Sequence, residues 1–574
     1  MVRVRVTITC LVLFMSDLAI GQVAVVSPLP AGILQVRGDH ANLHIHFNVP
    51  KGFQHFGYKL SSDIDTSKIT DGWSEIAILD TLVDTLITVP RSLRNYTLYW
   101  RIDSSGIDTG GLIGNLTPGH IIGIAGQSNA QGYCYEMVES PWGDIRMLRN
   151  LTAWEPAKEP TGNVAGGPWI VMANRLYDSL QDSLPIGIVN VAVGGSGIMV
   201  ASPGGQWIRN DANPLDSSDY GLALNRFLHA GSELECLCWI QGEAEAGYSL
   251  HAFDPEEYRV TFQGLMNRLK KDLGTDYPIF HLQVGGWSGT SAAYFREVHE
   301  AERILPPSTL VGTGLGRAVE AVDGVHYNVP SLWAVGGMFA DAILAELYDK
   351  PGSMYPPLMP DSIAKFDSVL NSDGSKELCI SLGWTRGGQA VKLGSMHEAQ
   401  EFELEADGQV LDTSKVWYRI LAPDSQRVLI GLRSGSIDPN LLWKVTYNAT
   451  VGADFAPLAT INPISGDTIF ATAFYRLPVN GSLPTLSVRE FKIDRIVPTP
   501  SQQAIHCYIL ALHHQAITLD VRDSRGALMR SVAVVLEEGQ QDIPIPIEGL
   551  ANGDYWVVLS DGVSNSVEKA VVIR

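Results

Sequence analysis

Residues 121–133 read IIGIAGQSNAQGY. An apolar run stops at Gly126 and then presents Gln127, Ser128 and Asn129. Two readings fit that pattern. It is either an ordinary polar turn after a buried strand, or a turn that lifts Ser128 into a reactive position. The sequence on both sides has to separate them.

The surrounding chain, residues 118–350, alternates short apolar runs with helically spaced segments. HIIGIAG, IGIVNVAVGG, LECLCWIQG and PIFHLQVGG have the continuous apolar character of strands buried on both faces. Between and after them come GPWIVMANRLYDSLQD, YGLALNRFLHAGS, PEEYRVTFQGLMNRLKKDLG, SAAYFREVHEAERIL and VPSLWAVGGMFADAILAELYD. The third of these carries a proline and acids at its start and a glycine at its stop, which are helix boundary signals. Apolar strands alternating with helices predict an α/β fold with a parallel sheet covered on both faces.

Sites in such sheets form at the carboxyl ends of the strands. The endings here are GQSN, GGSG and QGEAE, with DGVHYN preceding the last helix. A serine hydroxyl is a weak nucleophile until a base takes its proton, and the base needs a carboxylate to orient it. Asp323 and His326 are three residues apart, close enough for one turn to bring carboxylate and imidazole together, with Gly324 easing the backbone between them. The backbone N–H of Ser128, a glycine N–H in AVGGSG and the Gln241 amide are candidate donors to an oxyanion. Each motif alone also fits a surface loop or a flexible turn. Four such endings on one rim are harder to dismiss.

Two other signatures fail. GQSNA has Ala130 where a G-x-S-x-G elbow has its second glycine, and no Gly-Lys-Ser/Thr follows Gly126 or Gly132 as a phosphate-binding loop requires.

GQSNAQG, GGSG, WIQGEAEAG and DGVHYN, in that order, resemble the SGNH hydrolase superfamily, in its sialate O-acetylesterase and acetylxylan-esterase-like branch. The resemblance covers about 118–350. It implies a flavodoxin-like three-layer αβα domain and a carbohydrate O-acetylesterase activity. By that resemblance Ser128 is the nucleophile, Asp323 and His326 complete the triad, and Gly195 and Gln241 join Ser128 as oxyanion donors. Gln127, Asn129 and Glu243 are implied as supporting polar residues. No cofactor or metal is called for. The family's second block often continues with a threonine and a tryptophan; here it runs GGSGIMVASPGGQW, with Trp207 later.

The flanks read differently. Residues 22–117 and 351–495 are β-patterned, rich in β-branched and aromatic residues, with PPLMP and VPTPSQQ as linkers. With 574 residues the chain is too long for one core. Residues 1–21 combine Arg3 and Arg5, a short apolar run and small residues before Gln22, the parts of a secretory signal peptide. Residues 496–574 form a turn-separated β module whose LDVRDSRGALMRS, GLANGDYWVVLSDG and KAVVIR resemble a type IX secretion sorting domain, which implies the type IX machinery as a partner and a secreted or surface-attached product.

The net charge of −21 argues against nucleic acid, which needs clustered Lys and Arg, and no run is long enough for membrane insertion. Five cysteines beyond Cys10 make no disulfide scaffold, and Cys236 and Cys238 fit a strand core. His44 and His46 share one strand face in LHIHF; with no third ligand near them in the chain, an exposed strand face is the preferred reading over a metal pair. The combined reading is a secreted serine esterase acting on acetylated carbohydrates. Its rivals are a non-catalytic carbohydrate-binding or adhesin protein on the same scaffold, and a lipase or thioesterase on the same core.

Overall fold

The computed structural model describes residues within 23–572. The larger stretches outside the description are 63–72, 287–294, 391–401, 421–426, 448–458, 462–467 and 480–490, with other gaps of one to five residues. The signal-like segment 1–21 lies outside the described residues.

The N-terminal strands are β1 (Ala24–Ser27), β2 (Ile33–Arg37), β3 (His40–Asn48), β4 (His55–Ser62), β5 (Ser74–Ala77), β6 (Leu82–Pro90) and β7 (Tyr96–Ser104). Period-two alternation in β3 sends Ala41, Leu43, Ile45 and Phe47 into a core with Phe56, Leu98 and Ile102. The next strand, β8 (Ile107–Gly126), is 20 residues long. Its first part pairs antiparallel with β7, its middle parallel with β2, and its last part lies inside the α/β sheet. One strand therefore carries the chain across residues 117 and 118, where the composition changes.

The α/β body follows as α1 (Ser128–Gln131), β9 (Ile145–Asn150), β10 (Ala153–Pro156), α2 (Trp169–Leu180), β11 (Ile186–Asn190), α3 (Asp219–Ala230) and β12 (Cys236–Ile240). It continues with α4 (Glu243–Tyr248), α5 (Pro255–Leu273), β13 (Ile279–Gln283), α6 (Phe295–Arg303), β14 (Ser308–Thr313) and α7 (Val329–Tyr348). The parallel strands run β9-β11-β8-β12-β13-β14, and β10 closes the β9 edge antiparallel. Every residue of β11, β12 and β13 is buried, as strands covered on both faces must be. α2 and α7 pack together in one layer, and α3, α5 and α6 in another.

The helix ends follow their sequence signals. The Asp254 side chain accepts from Glu256 N–H, Pro255 opens α5, and Gly274 closes it at φ +70°. The Asn328 side chain caps α7 by accepting from Ser331 N–H. Because β8 comes first in sequence but lies mid-sheet between β11 and β12, the strand order switches around it. The crevice outside its carboxyl end is where such sheets bind ligands.

Beyond Leu358 the described chain is antiparallel sheet around Trp384, Phe402, Trp443 and Tyr447. It docks on the body through Gln283, which exchanges hydrogen bonds with the Ala473 backbone at 2.9 and 3.0 Å. Between Phe491 and Val572 a three-stranded and a four-stranded sheet share one core that includes Ile509, Leu519, Val557 and Leu559. All five described cysteines are buried, and none forms a disulfide among the described residues.

Candidate functional site

Ser128 opens α1 directly after β8, so it sits at the carboxyl rim of the sheet. The turn that places it needs a glycine. Gly126 has φ +121°, and a Cβ there would stand 2.0 Å from Ile240 O. The turn is anchored on several sides. Gln127 N–H donates to Ile240 O (2.8 Å), and Trp169 Nε1 and Asn190 Nδ2 donate to Ala130 O (2.5 and 3.1 Å). Ser128 itself is 7% exposed.

Asp323 and His326 meet as their spacing predicts. Asp323 Oδ1 accepts the N–H groups of Val325 and His326 (both 3.0 Å), while Oδ2 bonds His326 Nδ1 at 2.8 Å. Gly324, at φ +70°, makes that tight loop. Burial works to raise the Asp323 carboxyl, but the His326 and backbone hydrogen bonds prevail and hold it below its ordinary value. The Nε2 side of His326 has no hydrogen-bond partner among the described residues. Tyr133 stacks on the imidazole with ring centroids 3.7 Å apart.

Ser128 and His326 are not hydrogen-bonded to each other. What joins their segments is Asn129. Its Nδ2 donates to Val325 O (3.4 Å), and its Oδ1 accepts Tyr327 N–H (3.1 Å). The residue after the serine thus grips the backbone on both sides of the histidine. Asn129 Nδ2 also donates to Glu243 Oε1 (2.7 Å). Burial pushes the Glu243 carboxyl up to about 7, against that hydrogen bond.

The GGSG block lies beside the serine. Gly194 N–H donates to Gln131 Oε1 (3.0 Å), and a Cβ on Gly194 would come within 3.6 Å of Ser128 Cβ. Gly195 has φ +72°, a conformation a side chain would strain. The N–H groups of Ser128 and Gly195 have no acceptor among the described residues. Two unspent donors beside a serine can receive an oxyanion.

Gln241 departs from its expected role. It is wholly buried, and its Nε2 faces Gln127 Oε1 (3.3 Å), Ser196 O (3.3 Å) and Glu245 Oε2. An amide has two hydrogens, so three protein acceptors leave none for a substrate oxygen. Gln241 instead ties the serine turn to the GGSG loop. Gln127 completes the tie, its Oε1 accepting Ala244 N–H at 3.0 Å.

Sequence reasoning missed Glu245, the hub of this network. Its Oε1 accepts Ile198 N–H (2.5 Å) and Met199 N–H (3.1 Å), and its Oε2 takes Gln241. The signal was present in QGEAEAG, where the second glutamate follows two residues after the first on the short α4. Tyr258, which donates to Gln241 Oε1 (2.8 Å), and Tyr133 carried no signal. Trp207 is not a surface platform. It is 4% exposed, donates to Ser196 Oγ (2.8 Å) and packs edge-on against Trp239.

Residues 118–345 match the family model described as carbohydrate esterase, sialic acid-specific acetylesterase. Residues 118–345 are a carbohydrate-esterase domain. A solved carbohydrate acetylesterase from Xanthomonas citri is similar in fold at 16% identity and TM-score 0.54, over 78% of this chain and 97% of that one. A protein from Arabidopsis thaliana is 24% identical, with TM-score 0.33, over 40% of this chain and 99% of its own. NanS is 17% identical, with TM-score 0.32, over 40% and 98%. Among curated proteins no sequence matches this chain. The esterase domain holds the Ser128 turn, the Asp323–His326 loop and the Gly194–Gly195 loop on one rim.

Proposed function

We propose that the esterase domain removes O-acetyl groups from carbohydrates by a serine mechanism at Ser128. The observation that carries this reading is the Asn129 clamp, which fastens an oriented Asp323–His326 pair to the turn bearing a rim serine. Ser128 Oγ attacks the acetyl carbonyl carbon and its proton passes to His326 Nε2. Ser128 N–H and Gly195 N–H hold the tetrahedral oxyanion. The intermediate collapses, the sugar oxygen leaves with the proton from His326, and acetyl-Ser128 remains. His326 then takes a proton from water, the hydroxide adds to the acetyl carbonyl, and acetate departs as the proton returns to Ser128. Asp323 keeps the imidazole in the tautomer with its hydrogen on Nδ1. Gln127, Gln241, Glu243 and Glu245 hold the three loops in register.

O-acetylated sialic acid is put first by the family match, and acetylated xylan is added by the resemblance of the sequence motifs. The test is acetate release from p-nitrophenyl acetate, O-acetyl sialic acid and acetylated xylan by the purified protein. Turnover establishes the esterase, and the best glycan names its substrate. A protein inert on every acetyl ester while still binding the glycans would replace this reading with the carbohydrate-binding one.

Residues 1–21 and 496–574 support export by the type IX route, to the medium or the cell surface. Mature protein beginning at Gln22 outside the cells is the expected result. Retention of residues 1–21 on a cytoplasmic protein would contradict it.

A further inference from the structure

A second histidine cluster lies far from the rim. β3 and β6 pair antiparallel with His46 opposite Asp84 and His44 opposite Leu86. Period two puts both histidines on the face of β3 that turns away from the N-terminal core. Asp84 supplies the third ligand that the local sequence lacks. His44 Nε2 stands 2.6 Å from Asp84 Oδ1, and His46 Nδ1 stands 3.8 Å from Asp84 Oδ2. One ligand atom from each of the three residues lies within 4.8 Å of the others.

We propose that His44, His46 and Asp84 bind a divalent transition metal of the zinc class, at the seam between the N-terminal sheet and the esterase domain. Donor atoms around a tetrahedral zinc stand about 3.3 Å apart, so the set closes on an ion through side-chain shifts of under about 1 Å. Two imidazoles and a carboxylate suit zinc, cobalt or nickel better than calcium or magnesium.

Two features separate this cluster from a chance hydrogen bond. His44 Nδ1 bonds Ser232 Oγ at 2.9 Å, on the turn between α3 and β12. In the loaded site His44 carries its hydrogen there and offers Nε2 to the metal, the outer partner that ligating histidines usually have. His46 Nδ1 is a buried nitrogen with no hydrogen-bond partner among the described residues.

The site has a structural rather than a catalytic place. Ser232 precedes β12, at the edge where the parallel strands begin, and Ser128 follows β8 where they end. A five-residue strand puts the two edges roughly 17 Å apart. The seam is polar along its length: Asn42 Nδ2 donates to Glu233 (2.9 and 3.0 Å), and Arg37 Nη2 donates to Leu234 O (2.8 Å). A metal here locks β3 to β6 and, through His44 and Ser232, fastens both to the esterase domain.

The test uses the full chain without a polyhistidine tag, stripped with chelator and titrated with Zn2+ in competition with a chromophoric chelator. The expected result is one tight equivalent, weakened at least about 100-fold in Asp84→Asn and His46→Ala, and about 10-fold in Ser232→Ala. Co2+ is expected to give the visible absorption of a four- or five-coordinate ion, and Zn2+ to raise the melting temperature of the wild type alone. Circular dichroism checks folding. If His46→Ala does not fold, the near-isosteric Asp84→Asn decides. Zn2+ binding equal in wild type and Asp84→Asn, or a Co2+ spectrum unchanged from the aqueous ion, overturns the proposal.

Discussion

Two of the molecule's histidine–aspartate pairs are nearly equal in length, 2.8 Å for His326 with Asp323 and 2.6 Å for His44 with Asp84. Their surroundings differ in every respect that bears on chemistry. His326 bonds its aspartate through Nδ1 and leaves Nε2 without a partner among the described residues, with a rim serine on the segment clamped to its loop. His44 faces its aspartate through Nε2, spends Nδ1 on Ser232 and has a second histidine beside it. In the proposed reading the same two side chains make an oriented base in one place and a ligand set in the other. What decides is the second ring nitrogen and what that nitrogen can reach.

The comparison can be broken at several points. Ser128→Ala or His326→Ala is expected to lower acetate release by about 10,000-fold or more, read as kcat/KM on p-nitrophenyl acetate. Asp323→Asn should cost about 1,000- to 10,000-fold, because an amide no longer enforces the tautomer. If Asp323→Asn keeps full rate, the 2.8 Å pair is only a loop tie. Asn129→Ala removes the clamp and takes from Glu243 its side-chain donor. It should lower kcat by ~10–100-fold with little change in KM, and cost about 1–3 kcal/mol of stability in urea unfolding.

Glu243 sharpens the account through pH. Burial pushes its folded carboxyl up to about 7, above its ordinary value of 4.5. Below 4.5 both folded and unfolded forms are protonated. Between 4.5 and about 7 the unfolded chain releases the proton first, so stability falls as pH rises across that window. Glu243→Gln should flatten the fall, measured by denaturant midpoints at pH 4.5, 5.5 and 7. A variant with the wild-type slope would assign the dependence to other buried acids. The smallest effect belongs to the second pair. Asp84→Asn should change deacetylation by under about threefold, since it lies at the opposite edge of the sheet.

The two pairs also show what a sequence reveals. Asp323 and His326 are three residues apart, so a single turn explains their meeting, and the motif reads directly. Asp84 is forty residues from His44, and only the register of β3 against β6 brings them together. The same limit governs the network behind Ser128. Asn129 reaches Glu243 across 114 positions and Tyr327 across 198. Supporting polar residues could be named, but their partners could not, and Gln241 was assigned to the substrate although its amide is spent on Glu245, Ser196 and Gln127.

The central strands and long helices were legible because full burial gives continuous apolar runs and because caps mark helix ends. The strands β9 (IRMLRN) and β14 (STLVGT) were not, since outer strands carry polar residues that blur the pattern. The short α4 escaped because six residues give too little periodicity.

The most direct test of the central claim is covalent. The protein is incubated with a fluorophosphonate, which phosphonylates only a serine activated as a nucleophile, and the modified peptide is located by mass spectrometry. The account predicts one adduct, on Ser128, formed at a rate that collapses in His326→Ala and Asp323→Asn along with acetate release. An adduct on another serine, or acetate release that persists with Ser128 unmodified, would contradict it.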